Sequence, residues 1–350
     1  MIPYELLQKA ATKAHISRVG AVNARIFDEL MPVLEKREAE GNQTPFEEVN
    51  LTKRINPFLI MPNVKTILVA ATSYHYPETK MESNRLTGTL ARFSRGIDYH
   101  QTLHYQLKEL ALELRKLAPE LDWVSHVDTG PLVERYLAAQ AGLGVYGRNN
   151  CLIANEWGSY VVLGLLLINL PVEKSVACQV DVRGCNDCGS CQKACPTNAL
   201  ETPYRIKKEK CLSYLLQSRE QIPVSYRVIA GKQLYGCDIC QDICPFNEKA
   251  PYASASGFRE YDGFSNINLT TLLDVSNRQF NRLYRQRSFG WRGQKIMQRN
   301  ALMALGNSGD PEAIQYLTPF INHHRQELRE MAEWALQRIH ATTGRKGQET

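Results

Sequence analysis

Eight of the ten cysteines in this 350-residue chain stand in a pattern that can hold iron. Cys185, Cys188, Cys191 and Cys195, followed by Pro196, are spaced x2, x2 and x3. Such intervals let three thiolates bind three irons of one cubane cluster while the fourth points to another. A second run, Cys237, Cys240 and Cys244 before Pro245, offers three more ligands, and Cys211 between the runs completes the set. The crossover rule assigns Cys185, Cys188, Cys191 and Cys244 to one [4Fe-4S] cluster, and Cys195, Cys211, Cys237 and Cys240 to a second. A pair of zinc sites could use eight thiolates too, but these are usually built from paired CxxC knuckles. The triple run ending in Cys-Pro favours iron. Cys151 and Cys178 fit neither run and read as a small buried hydrophobe and a loop thiol.

The setting supports ligation over disulfides. The start, Met1 to Glu5, shows no basic segment leading into an apolar one, so no secretory signal is expected. Cysteines clustered between 178 and 244 in a chain of this size point to a reducing compartment, and a cytoplasmic location follows. The longest apolar run, residues 160–170, is shorter than the ~20 residues needed to span a bilayer. No membrane partner is expected, and the net charge of +6 says little by itself.

Around the cysteines the chain changes character twice. Residues 1–177 read as an α/β domain. It has an amphipathic helix from Tyr4 to His15, a strand from Lys65 to Ala71 and a strand within 160–170. Leu103, Leu107, Leu110 and Leu114 share one helical face, and a strand from Trp123 to Val127 precedes the turn Asp128-Thr129-Gly130-Pro131. Residues 178–250 hold the cysteine runs and must be largely loop. Residues 251–350 read as helical: Ala301, Ala304 and Leu305 recur as Ala332, Ala335 and Leu336, an offset of 31 that a HEAT-like hairpin repeat or a plain bundle would satisfy.

Clusters this close form an electron relay, which suits either a carrier or an enzyme that feeds a second centre. A carrier needs little beyond the cysteine region, and the large flanking segments favour an enzyme. Between Arg278 and Arg299 stand seven basic residues and no acidic one, with Phe280, Tyr284, Phe289 and Trp291 interleaved. That combination neutralises phosphates and stacks unpaired bases; it also describes a solvated basic helix with its aromatics packed inward.

Several elements in order resemble the epoxyqueuosine reductases: Asp98-Tyr99-His100, Val127-Asp128-Thr129-Gly130, Gly142-Leu143-Gly144, Gly158-Ser159-Tyr160, both cysteine runs, and Trp291-Arg292-Gly293 with Gln298-Arg299-Asn300-Ala301. The resemblance covers nearly the whole chain. It implies reduction of epoxyqueuosine to queuosine at the wobble position of a tRNA anticodon, the last step of queuosine biosynthesis. It also implies a cobalamin cofactor fed by the two clusters, and kinship with reductive dehalogenases. The corrinoid signature D-x-H-x-x-G is not met, since Leu103 stands where glycine is needed after Asp98 and His100. The family's mode of binding cobalamin, with the lower base detached, does not require it.

By the same resemblance Asp128 is the proton donor, a role that calls for burial or a nearby negative charge to raise its carboxyl pKa from ~3.9. On the residues alone it reads rather as an Asx-turn capping the helix from Leu132. Arg54, Asp128, Leu152, Leu163, Ser218 and Asp238 are implied cobalamin contacts, and Leu165 stands where relatives often carry an acidic residue. Arg285, Arg287, Arg292, Lys295 and Arg299 are implied contacts to the tRNA anticodon stem-loop. An electron donor of unspecified identity and a monomeric state complete the expectation. The competing readings are a corrinoid reductase of a small molecule and a plain electron-transfer protein.

Overall fold

The computed structural model describes residues 1–77, 86–173, 184–259 and 264–346. Cys178 and the expected boundary at 177–178 lie outside them. The described strands are β1 (Arg18–Asn23), β2 (Thr66–Ser73), β3 (Thr87–Leu90), β4 (Trp123–His126), β5 (Val145–Tyr146), β6 (Leu152–Ile153), β7 (Val161–Ile168), β8 (Gln233–Tyr235) and β9 (Asn266–Asn268).

The main sheet runs β1-β2-β7-β4. Alternate residues of its strands feed two cores, as the two-residue strand period requires. Ile67, Val69, Leu165 and Leu167 pack toward Leu137 of the Glu134–Gln140 helix. Leu68, Ala70, Leu166 and Ile168 pack toward Leu103, Leu107 and Leu110 of the Tyr99–Arg115 helix. Both faces are covered, which is why β2 and β7 read as continuous apolar runs. Every pairing in this sheet is antiparallel. The α/β expectation is corrected here: helices and strands are mixed as anticipated, but the arrangement is a two-sided α+β sandwich. Parallel sheets carry the same unbroken apolar signature, so the sequence did not separate the two.

A second sheet, β8-β3-β9, draws one strand from each of the three sequence regions. β3 pairs parallel with β8 through Leu90 and Tyr235, and antiparallel with β9 through Thr87 and Asn268. Polar contacts reinforce this joint. Ser159 N–H donates to Asn247 Oδ1 at 2.6 Å, and Gln241 Nε2 donates to the Ser159 carbonyl at 2.8 Å. At Gly158 (φ +63°) a Cβ would come within 2.2 Å of Asn247 Oδ1, so this contact needs glycine twice over.

The Gly293–Ser308 and Gln326–Lys346 helices carry the offset of 31 and pack on each other, with Ala301, Ala304, Ala332 and Ala335 fully buried. The first helix passes through Gly306, where glycine allows the close approach of the second helix: a Cβ there would meet Ala335 Cα at 2.7 Å. It stops at Gly309, in the left-handed region at φ +61°. Asp310 Oδ1 then accepts the Glu312 N–H at 3.0 Å, with Pro311 at the first position of the next turn. Among the described residues no helix is long and apolar enough to cross a membrane.

Candidate functional site

The structure gathers the eight thiols around two cavities. Cys185, Cys188, Cys191 and Cys244 line a small one of about 20 Å3. Cys195, Cys211, Cys237 and Cys240 stand on the wall of a large one of about 1400 Å3. The two Cys-Pro steps explain how runs of neighbouring cysteines are split between cavities. A residue before proline is driven out of the helical region, and Cys195 (ψ 109°) and Cys244 (ψ 122°) are both extended. Each therefore leaves the short helix before it, Ser190–Ala194 or Ile239–Asp242, and joins the thiols of the other run. Among the described residues no three His, Cys, Asp or Glu side chains converge as ligands of a single ion. Four thiols spread around each cavity are a donor set that suits an iron–sulfur cluster. Cys151 lies on the large cavity's wall against Cys240.

The charged residues on the wall of that large cavity are mostly basic, among them Arg25, Arg37, Arg54, Arg135 and Lys208. Arg54 is buried in the Leu51–Ile55 helix, whose first turn is capped by the Asn50 side chain. Its Nη1 donates to Glu47 Oε2 at 2.6 Å, and Glu47 also accepts two bonds from Arg37 at 2.8 Å each. Burial opposes ionisation of Glu47, but the Thr44 N–H and the two guanidiniums hold its carboxyl below the ordinary range. Arg54 Nε, buried and without a protein partner, remains available to a bound group. A buried donor left unpaired is costly, so it argues for an occupant with an acceptor.

The other implied cobalamin residues do not stand on this wall. Leu152 and Leu163 are 3% and 9% exposed and belong to the apolar core beneath the sheet. Ser218 is buried where the Leu212–Gln217 helix ends, with its hydroxyl accepting the Glu220 N–H at 3.1 Å. Asp238 is buried too: Oδ2 accepts the Arg92 N–H at 2.7 Å while Oδ1 has no partner. Burial pushes its carboxyl up to about 6.

Asp128 sits elsewhere, on the loop that leaves β4. Its φ of +56° is left-handed, and the Thr129 N–H closes on the Val127 carbonyl at 2.5 Å, a tight three-residue turn. Gly130 is required because a Cβ there would lie 2.6 Å from His126 Cβ. Asp98 caps the Tyr99–Arg115 helix through the His100 N–H and also meets His100 Nδ1 at 2.8 Å. Tyr99 and His100 are thereby turned toward the loop. The Tyr99 hydroxyl donates to Asp128 Oδ2 at 2.5 Å, and His100 Nε2 lies 3.7 Å from the same oxygen. Burial, with the negative charge of Asp128, pushes the Tyr99 phenol far up, so it stays a donor. At His100 burial works against protonation, but the bond to Asp98 and the charges of Asp98 and Asp128 outweigh it and raise the pKa.

Two expectations about Asp128 are corrected. It does not cap the Glu134–Gln140 helix, which has no side-chain cap. Its side chain is 63% exposed, not buried.

The basic stretch is divided by its surroundings. Arg285 and Lys295 are exposed. Arg287 is half-buried and donates to the Gly96 carbonyl at 3.0 Å. Arg292 stacks on Trp291 at 4.4 Å and Phe46 at 5.2 Å, with Nε unpartnered. Arg299 does not belong on an RNA-facing surface. It is 1% exposed and donates to the carbonyls of Leu215, Leu216, Ser218 and Glu220, because those turns leave carbonyls that only a buried multi-donor side chain can satisfy. Phe280, Tyr284 and Phe289 are core residues, whereas Trp291 is 54% exposed.

Sequence reasoning passed over Glu134, Glu47 and Phe46. Glu134 accepts the Asp128 N–H at 2.7 Å. Phe46 lines the large cavity and meets Trp291 edge-on at 5.6 Å. No spacing pattern flags these residues, since each acts through partners distant in sequence or across a turn.

Thiols in two sets of four, one set on the wall of a large basic cavity, define the class: an iron–sulfur oxidoreductase. Residues 184–247 match the 4Fe-4S double cluster binding domain family, and residues 54–129 match the family described as epoxyqueuosine reductase QueG, DUF1730. An epoxyqueuosine reductase of Lactococcus garvieae is 36% identical over 338 residues, 96% of this chain and 95% of that protein. A crystal structure of epoxyqueuosine reductase with an epoxyqueuosine-modified tRNA-Tyr stem loop superposes with a TM-score of 0.89 at 33% identity, covering 96% of this chain and 90% of that one. A Bacillus subtilis epoxyqueuosine reductase with its catalytic aspartate loop swung out of the active site gives 0.89 at 32% identity, with the same coverage. The chain belongs to the epoxyqueuosine reductase family.

Proposed function

We propose that this chain reduces epoxyqueuosine to queuosine at the wobble position of tRNA, using cobalamin reduced through two [4Fe-4S] clusters. The observation that carries this reading is the large cavity, which has one complete set of four thiols and the unpartnered Arg54 Nε on its wall. When bound there, cobalamin supplies the reducing equivalents for removal of the epoxide oxygen. Arg54 would offer a hydrogen bond to its polar periphery. The Cys195, Cys211, Cys237 and Cys240 set adjoins the cavity. The other set includes Cys188, an exposed ligand position, and is where an electron donor would deliver.

Removing an epoxide oxygen as water takes two electrons and two protons. Asp128 holds a carboxyl oxygen out toward solvent while Tyr99 fixes its direction, which suits proton delivery to a substrate arriving from outside. The catalytic aspartate loop of the Bacillus subtilis relative supports this role for the Asp128 loop. The stem-loop complex of another relative supports RNA as the substrate. Arg285, Arg292 and Lys295 would meet its phosphates, and Trp291 a base. In this reading residues 1–177 hold the cofactor and Asp128, 178–250 the clusters and 251–350 the RNA, in a cytoplasmic monomer.

Anaerobically reconstituted protein tests the proposal: with a chemical reductant it should convert epoxyqueuosine in tRNA to queuosine only when cobalamin is present. Reduction of small organic halides or epoxides, with modified tRNA left untouched, would overturn it.

A further inference from the structure

Asp128 is held in a costly conformation, and the Tyr99 bond alone does not explain how. A non-glycine residue at φ +56° inside a three-residue turn is strained, and strain persists only where surrounding contacts over-determine it. The Tyr99 hydroxyl restrains the side chain but not the backbone. The backbone restraint comes from Glu134, whose Oε1 accepts the Asp128 N–H at 2.7 Å from the first residue of the Glu134–Gln140 helix. That helix is a rigid support: Tyr136, Leu137, Ala138 and Ala139 are buried against the main sheet.

We propose that Glu134 is a positioning residue for the reaction: its carboxyl oxygen latches the Asp128 amide and so keeps the proton-donating loop folded over the site. This rests on the reading of Asp128 as the proton donor, and adds the group that holds it there. Three features carry it. The bond is to the strained residue itself. The acceptor is anchored in packed structure while the loop it holds ends in an exposed side chain. The Glu134 carboxyl has no other described protein hydrogen-bond partner, so its position is explained by this contact. The charged groups facing it are Asp128 from the loop and Arg135 from its own helix. Burial, then the negative charge of Asp128, push the Glu134 carboxyl well up, against the opposing effects of the Asp128 N–H and Arg135. What the latch needs is an acceptor oxygen, which a neutral side chain also provides.

This separates two variants. Glu134→Gln keeps an acceptor of the same length and should stay within about threefold of the parent kcat. Glu134→Ala removes it and should lower kcat on the order of 10²-fold, the scale of a misplaced catalytic group, with KM for modified tRNA and the cluster absorbance unchanged. Hydrogen exchange of the peptide containing Asp128 gives a readout that needs no turnover: its amide should be protected in the parent and in Glu134→Gln, and exposed in Glu134→Ala. Equal protection in all three, or a Glu134→Gln variant as impaired as Glu134→Ala, would overturn the latch. If the exchange pattern holds while the parent protein fails to reduce epoxyqueuosine, the functional reading falls and the latch stands.

Discussion

The Tyr99 hydroxyl meets Asp128 Oδ2 at 2.5 Å, so a phenol that stays protonated is the fixed partner of an otherwise exposed carboxylate. The pair joins the start of the Tyr99–Arg115 helix to the loop after β4, two elements packed on the same sheet. Replacing Tyr99 with Phe removes the bond and keeps the ring. We expect kcat to fall roughly tenfold, as when a charged hydrogen bond is lost, with KM for tRNA little changed. A Tyr99→Phe enzyme with full kcat would show that Asp128 needs no such guide.

Asp128→Asn keeps the size of the side chain and removes the transferable proton. Single-turnover rates should drop by roughly 10²- to 10⁴-fold, the usual span for a lost general acid. The iron–sulfur absorbance should match the parent, since Asp128 lines neither thiol-bearing cavity.

Arg299 and Arg285 should behave as opposites despite sharing one basic stretch. Arg299→Ala leaves several buried carbonyls without a donor, and unfolding should become easier by roughly 3 kcal/mol, read as a lower Tm. Arg285→Ala should leave Tm unchanged, weaken binding of modified tRNA and reduce its salt dependence. A thermally normal Arg299→Ala with selectively weakened tRNA binding would reverse this assignment.

His100 should make stability depend on pH. Its pKa is raised in the folded chain by Asp98 and Asp128 despite opposing burial, so its charged form stabilises the fold. That contribution is complete below the ordinary histidine value of ~6.5 and is lost as pH rises through the raised one. The Tm gap between the parent and His100→Asn should therefore be widest in mild acid and narrow on going alkaline. A gap that widens with pH would mean that His100 works as a neutral group.

Iron content separates ligand thiols from the bystander. With two cubane clusters the parent should hold about eight irons, and Cys188→Ala about four. Cys151→Ala should keep about eight, although Cys151 lies against Cys240. Loss of iron from the Cys151 variant would make that thiol part of the second site.

Much of this was legible in the residues. The cysteine intervals forecast which thiols would share a cavity, because proline after Cys195 and Cys244 leaves each chain one direction to go. Strands such as Thr66–Ser73 were visible as continuous apolar runs, and the Tyr99–Arg115 helix by its leucine face. Strand direction was not, since covered faces erase the alternation that marks antiparallel sheets. Nor does residue type separate Arg299 from Arg285: one guanidinium ends among carbonyls and the other in solvent, and only the packed turns around residues 215–220 decide which. Glu134 was hidden for a similar reason, as an acidic residue opening a helix is ordinary until its oxygen is seen on the Asp128 amide.

The small sheet β8-β3-β9 also dictates an order of assembly. During synthesis β3 emerges long before either neighbour, and both its edges wait for residues 233–235 and 266–268. Through that interval an unpaired strand is open to pairing with other chains. A chain stalled between β3 and β9 should therefore be the species most in need of a chaperone.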